Sequence, residues 1–432
     1  MELKAVIVAV FIMLGIILIY DARSIARKSF SLSDQNAATF AIKLIGFIIS
    51  VVRRFNNNAW LIWERNKGMK KNELLEISKK FDINGNPIEV NLIETGHINK
   101  TYLVKCDTGN KYILQYVNTK VFPNIDELMS NIHEVTSYIK KEENGKTLEF
   151  IKLKEGTNKY IYNNNWRMQK YIDNTKTYIS TESLDILTEA GKAVGEFQKQ
   201  LDGFNAEKLY EIIPKFHYTP NRVNQLKDAI SSKENNEKRS ERFIKAKPYI
   251  EFLTDESRTS RANIITSKLE NGKIPLRVTH NDTKLSNILF DKDTDKYVAL
   301  IDLDTIMPGS IVYDFGEGIR TGVTTAAEDE QDLSKIYVDM ERFEAFTKGF
   351  LEKMKGTITK EELELLPIGG WMMTYENTTR FLADYLNGDT YYAINKDIPD
   401  HNLVRVKAQV EIIKQMENQE NNMKGMINQY GL

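Results

Sequence analysis

A chain of 432 residues with 59 Lys and Arg against 60 Asp and Glu carries a net charge of -1, which gives nucleic acid no overall basic surface to bind. One cysteine, Cys106, excludes an internal disulfide framework and a multi-cysteine zinc site. The length exceeds what one hydrophobic core serves, while 41% hydrophobic and 28% charged residues describe a folded chain of two or three units.

Residues 5–20 form an uncharged apolar run at the short end of what spans a bilayer. Arg23, Arg27 and Lys28 follow it, so the positive-inside rule sets the rest of the chain in the cytosol. A cleaved signal peptide is the alternative, because Ala22-Arg23-Ser24 loosely imitates a cleavage site. A second apolar run, 37–52, is broken by Lys43 and bounded by Arg53 and Arg54, which fits an interfacial helix better than a second span. Residues 1–54 therefore read as a hydrophobic, membrane-associated helical segment and 55–72 as a polar linker.

An amphipathic helix begins near Glu73 and stops at the turn cluster Asn84-Gly85-Asn86-Pro87. Strand alternation covers 88–94, 101–106 and 111–117, with a hairpin turn at Asp107-Thr108-Gly109-Asn110 between the last two. Leu128, Ile132, Val135 and Ile139 lie on one stripe of a helix over 125–140. Beyond residue 180 the pattern is helical, at 182–200, 220–233, 238–255, 334–355, 360–388 and 402–424, except for a β-rich island at 275–304. The predicted fold class is α+β: a small β-rich lobe over 73–171 and a large helical lobe over 172–432, in the bilobal layout of protein kinases.

The island carries the chemistry. His280, Asp282 and Asn287 have the H-x-D-x-x-x-x-N spacing of a phosphotransferase catalytic loop. A carboxylate at Asp282 can accept the proton of an acceptor hydroxyl and aim its oxygen at phosphorus. The amide of Asn287 and the carboxylate of Asp302, at the end of an apolar strand, can hold Mg²⁺ against the phosphates of ATP. Asp304 shares the strand face of Asp302, and His280 reads as a brace for the loop backbone. No H-E-x-x-H, P-loop or G-x-S-x-G signature is present, which removes zinc peptidases, P-loop kinases and α/β-hydrolases.

With GHIN at 96–99, YILQ at 112–115, IPKFHYTPNR at 213–222, THNDTK at 279–284, IDLDTIMPGSIVYDFGEGIR at 301–320 and RFLADYLNGDTYY at 380–392, the sequence resembles the N-acetylhexosamine 1-kinases. These are a branch of the aminoglycoside phosphotransferase and choline kinase superfamily, and the likeness extends over residues 79–417. The resemblance implies transfer from ATP to the anomeric hydroxyl of N-acetylglucosamine or N-acetylgalactosamine, with Asp282 as base and Asn287 and Asp302 as magnesium ligands. It further implies that Arg380 and Tyr391 contact the sugar and that Asp314 braces the catalytic loop. Gly96, His97 and Asn99 would cover the phosphates, and the connector containing Gln169 and Tyr171 would hydrogen-bond adenine through its backbone.

One departure concerns the strand after the hairpin, where kinases carry a phosphate-anchoring lysine and this chain has Gln115 followed by Tyr116. Lys111, on the same strand face, is the replacement charge, and Glu134 is the acidic residue such a lysine would pair with. Two other readings stand beside the sugar kinase: a kinase of the same fold acting on an amino alcohol or aminoglycoside, and a membrane-tethered pseudokinase.

Overall fold

The structure, a computed structural model, describes residues 70–93, 98–141, 145–154, 159–232 and 237–431. The apolar runs at 5–20 and 37–52, the linker up to residue 69, Gly96 and His97 lie outside the described residues. Among the described residues no helix is long and apolar enough to cross a membrane. The chain divides into two compact units, 1–76 and 77–432. Of the first, only 70–76 are described, most of them in helix α1 (Lys71–Ser78).

The second unit opens with strands β1 (Pro87–Ile93), β2 (Lys100–Cys106) and β3 (Lys111–Tyr116), then helix α2 (Ile125–Ile139) and strands β4 (Phe150–Ile151) and β5 (Trp166–Lys170). They form one sheet in the order β1-β2-β3-β5-β4, antiparallel at every pairing. Alternation fixes the register, burying Tyr102, Val104 and Cys106 of β2 on one face. The predicted hairpin forms because Gly109 adopts a φ of 84°, which a side chain would resist. Asn124 caps α2 by accepting the Glu127 N–H. Buried residues of α2 share one hydrophobic cluster with the helical lobe. Fully buried Asn131 adds a polar tie, donating to the carbonyls of Tyr210 (2.8 Å) and Ile306 (2.9 Å) and accepting from Tyr210 N–H (2.8 Å).

The helical lobe contains α3 (Leu184–Gln200), α4 (Thr219–Ser231), α5 (Glu237–Thr254), α6 (Glu256–Ala262) and α7 (Ile264–Glu270). After the island come α8 (Ile311–Gly322), α9 (Met340–Met354), α10 (Lys360–Leu386) and α11 (His401–Gly431). The sequence pattern missed α8 because it holds three glycines, which disfavour helix in isolation. Packing explains them: a Cβ on Gly316 would stand 2.5 Å from the Gly369 carbonyl oxygen of α10. Within the island, β7 (Arg277–Thr279) pairs with β10 (Met307–Gly309). Strands β8 (Ile288–Asp291) and β9 (Tyr297–Leu300) pair with each other, and β8 also pairs with the short β6 (Thr175–Lys176).

Candidate active site

The loop from β7 to β8 is held from beneath by one carboxylate. Asp314, fully buried in the first turn of α8, accepts the N–H groups of His280 (2.8 Å) and Asn281 (2.7 Å) and the Gln198 side-chain amide (2.7 Å). Burial pushes its pKa above the ordinary carboxylate range, with His280 and the N–H donors opposing. The loop turns over this carboxylate, where a brace was predicted, with Asn281 at a φ of 65°. His280 is buried as well. Its Nε2 lies 2.9 Å from the Ile301 carbonyl oxygen and its Nδ1 3.3 Å from the Asp282 N–H. Through its two ring nitrogens His280 thus holds backbone on both sides.

This scaffold turns Asp282 into the cleft with its side chain 25% exposed. Asn287, ending a short 3₁₀ turn (Leu285–Asn287), donates its Nδ2 to the Asp282 carbonyl (2.9 Å) and carboxylate Oδ2 (2.8 Å). The amide nitrogen is thereby committed, and Oδ1 is the atom left to meet a cation. Lys284 Nζ lies 2.7 Å from the same Asp282 oxygen. Burial opposes the Lys284 ammonium, but Asp282 and then Asp302 outweigh it and raise its pKa. Sequence reading left Lys284 without a role, although its position two residues after Asp282 was a usable signal.

Asp302 does not continue the strand as expected. Strand β9 ends at Leu300, Asp302 takes the left-handed conformation (φ 62°, ψ 58°), and a 3₁₀ turn (Leu303–Thr305) follows. That conformation costs a non-glycine residue on the order of 1–2 kcal/mol and sends Asp302 and Asp304 to different environments. The Asp302 side chain is open to the cleft by surface area, yet it sits deep within surrounding protein. That depth, then the carboxylates of Asp304 and Asp282, push its pKa up to about 7 against Lys284 and Arg167. Asp304 is instead buried against the β-rich lobe, accepting from Asn99 Nδ2 (2.6 Å) and ion-paired with Arg167 (2.6 Å).

Among the described residues no group of three or more His, Cys, Asp or Glu is arranged to hold a metal. A magnesium ion beside phosphates needs fewer protein ligands, and the donor set here fits one: a carboxylate at Asp302 and an amide oxygen at Asn287.

On the nucleotide side, Gln115 donates to Thr101 Oγ1 (3.2 Å) and accepts from Arg167 Nε (3.0 Å). Lys111 does not supply the missing charge at Gln115; its Nζ turns to Asp173 at 2.6 Å. Glu134 is exposed. Gln169 pairs inside the sheet with Ile113 and Phe150, and the Tyr171 N–H donates to the Lys111 carbonyl (3.1 Å). Sheet pairing thus takes the backbone of Gln169 and one backbone group of Tyr171.

A further cluster of charged and aromatic side chains is built on α8, α10 and the segment after α10, where Arg380 and Tyr391 were expected to contact the sugar. Arg320 ion-pairs with Glu317 (2.6 Å) and Glu328 (3.4 Å). Burial works against its charge, while Glu317, Glu328 and Asp282 raise its pKa. Arg380 lies 5.9 Å from the ring centre of Tyr391 and 5.5 Å from that of Tyr392, so the structure brings Arg380 and Tyr391 together. Tyr391 is 73% exposed. Its loop is fixed by Asp384, whose carboxylate accepts the N–H groups of Thr390 (2.8 Å), Tyr391 (2.8 Å) and Tyr392 (3.0 Å). Arg222 stands close enough to feel Arg380: burial first, then that guanidinium, lower its pKa.

Residues 89–342 match the model of the Phosphotransferase enzyme family. The chain resembles a solved spectinomycin phosphotransferase, in complex with ADP and spectinomycin, with a TM-score of 0.50 at 13% identity, covering 84% of this chain and 98% of that one. It also resembles an aminoglycoside phosphotransferase from Alicyclobacillus acidocaldarius, with a TM-score of 0.52 at 10% identity and coverage of 84% and 98%. At such identities these two likenesses speak for the fold. With more than half of its length inside the family match, this chain belongs to the Phosphotransferase enzyme family and has its protein-kinase-like α+β fold.

Proposed function

We propose that this protein transfers the terminal phosphoryl group of ATP to the anomeric hydroxyl of an N-acetylhexosamine, giving the sugar 1-phosphate and ADP. The observation that carries the reading is Asp282, whose Oδ2 is held 2.8 Å from Asn287 Nδ2 and 2.7 Å from Lys284 Nζ at the end of a rigid loop. Asp282 accepts the proton of the sugar hydroxyl as that oxygen forms its bond to the γ-phosphorus. The bond from phosphorus to the bridging oxygen breaks, and the electron pair leaves with ADP. Lys284 keeps the Asp282 carboxylate aimed. Asn287 and Asp302 would hold Mg²⁺, which draws charge from the phosphate oxygens.

The acceptor wall supports a neutral sugar over an amine. Its acidic groups are already engaged: Glu317 and Glu328 pair with Arg320, and Glu376 lies 2.9 Å from His217 Nδ1 within reach of the Arg380 and Arg222 guanidinium charges. Arg222 and Arg380 stand beside them. A cationic aminoglycoside or amino alcohol would meet like charge there, whereas a neutral ring can lie on Tyr391 and give its amide oxygen to a guanidinium. The sequence likeness at 279–284, 301–320 and 380–392 supports the same acceptor. The uncharged run at 5–20 supports attachment of this enzyme to a membrane, which fractionation of cells expressing the full chain tests.

Phosphate transfer from Mg·ATP to N-acetylglucosamine, N-acetylgalactosamine, galactose, choline and spectinomycin tests the reading, with the product's phosphorus coupling to the anomeric proton. Turnover on the N-acetylhexosamines is expected, and Asp282→Asn should lower kcat by about 10²–10⁴-fold. Turnover confined to choline or spectinomycin would overturn the sugar assignment. Full activity in Asp282→Asn would overturn the mechanism.

A further inference from the structure

Kinase-like sites place a lysine on the third strand of the sheet to fix the phosphates, and here that strand presents Gln115. The structure sets a different cation directly beside it. Arg167 of β5 is the cross-strand partner of Gln115, and Thr101 of β2 is its partner on the other side. Cross-strand partners share a sheet face, so the three form a polar row in which Arg167 Nε donates to Gln115 and Gln115 donates to Thr101. The row ends at Asp304, whose Oδ1 lies 2.6 Å from Arg167 Nη1, with both side chains only 2% exposed. Asp304 follows the metal-facing Asp302 by two residues in the same short turn. Its other oxygen takes the Asn99 amide at 2.6 Å, and Asn99 in turn accepts the Asn118 N–H at 3.0 Å. One carboxylate thus ties both the turn before β2 and the middle of β5 to the residue that would bind metal.

We propose that Arg167 is the positioning residue for Mg·ATP in this chain, acting through Asp304 to hold the Asp302 turn and the Asn99 turn in one arrangement. Burial keeps the guanidinium from the phosphates themselves; its effect passes through Asp304. A buried arginine without that carboxylate, or the carboxylate without the arginine, would be an uncompensated charge, so the two act as a unit. The inference rests on the phosphotransferase reading of the Asp282 and Asp302 site, but not on the identity of the acceptor.

The test uses the full chain with Arg167→Met and Arg167→Lys. Arg167→Met should raise KM for Mg·ATP by about 10–100-fold, the range for residues that orient metal ligands, and leave KM for the acceptor within about twofold. Arg167→Lys keeps the charge but loses the fork to Gln115, and should fall between wild type and Arg167→Met. It is also the variant to read should Arg167→Met fail to fold, with a measurable rise in KM for Mg·ATP then required. Thermal shift by ADP, with and without Mg²⁺, reads the same site without turnover: the magnesium-dependent part of the shift should shrink in both variants. An unchanged KM for Mg·ATP in the folded variants overturns the inference while leaving the function intact. Equal losses toward both substrates with a lowered Tm reduce Arg167 to a structural ion pair and overturn it too. A wild type that phosphorylates no acceptor, yet shows a magnesium-dependent ADP shift that Arg167→Lys weakens, would sink the function and keep the inference.

Discussion

In the proposed function Asp302 is the residue where proton and metal would compete. Its pKa of about 7 in the free protein lies above the ordinary carboxylate value of 3.8, so the folded chain holds a proton there that the unfolded chain has lost. Between those two values the folded state binds more protons, and this group's contribution to stability therefore falls as pH rises toward 7. A cation reverses that cost by taking the proton's place. The magnesium-dependent part of stabilisation by ADP should accordingly grow from about pH 6 to about pH 8, and Asp302→Asn should flatten the profile, as thermal unfolding across a pH series would show. The same residues mark how far the sequence was legible. The spacing of His280, Asp282 and Asn287 is local, so the chain order alone carried it. The ion pair of Arg167 with Asp304 joins residues far apart in the chain and depends on β3–β5 register, which no local pattern encodes. Asp302 and Asp304 looked like neighbours on one strand face because an apolar run does not announce the left-handed turn at Asp302.

Among the elements, the segment after α10 has its shape decided by one side chain. Three consecutive N–H groups point at Asp384, which also accepts from Asn402 Nδ2 at 2.9 Å. Replacing it with Asn leaves an amide nitrogen facing some of those donors. Asp384→Asn should raise KM for the acceptor several-fold by releasing Tyr391, while KM for Mg·ATP holds; steady-state kinetics against each substrate checks the split. Element boundaries were readable in α2, whose hydrophobic period is clean, and in α10, whereas α9 begins at Met340, six residues after its predicted start. They were unreadable in α8, whose three glycines weaken the helical signal of the sequence. The first helix also ends sooner than its pattern, at Ser78, before Phe81 makes an isolated bridge to Leu153.

For the whole of the second unit, the β-rich lobe is not a free cap on the helical one. Asn131 binds α2 to Tyr210 and Ile306 through three hydrogen bonds with no exposure to water. Asn131→Ala strands those backbone groups, and a stability loss on the order of 2–4 kcal/mol is expected by denaturant unfolding. Helix α2 tied down in this way leaves movement around the nucleotide to the sheet and its turns. The bilobal plan was legible because a run of alternating strands followed by helical periods admits few layer arrangements. The tie was not, since an asparagine in a helix reads as surface until its partners are known.

Helix α10 has one more consequence. Glu376, Arg380 and Asp384 recur every fourth residue along its 27-residue length, so one helix carries three of the residues that the proposed function sets at the acceptor wall or beneath its loop. The groups proposed to move the phosphoryl lie on a different stretch of backbone, in the β7–β8 loop and the turn after β9. In the proposed function, taste and reactivity are thus written on separate parts of the molecule. Libraries varied at positions 380 and 391 should yield enzymes with new clients and an unaltered engine, visible as changed acceptor preference beside a constant slow hydrolysis of ATP.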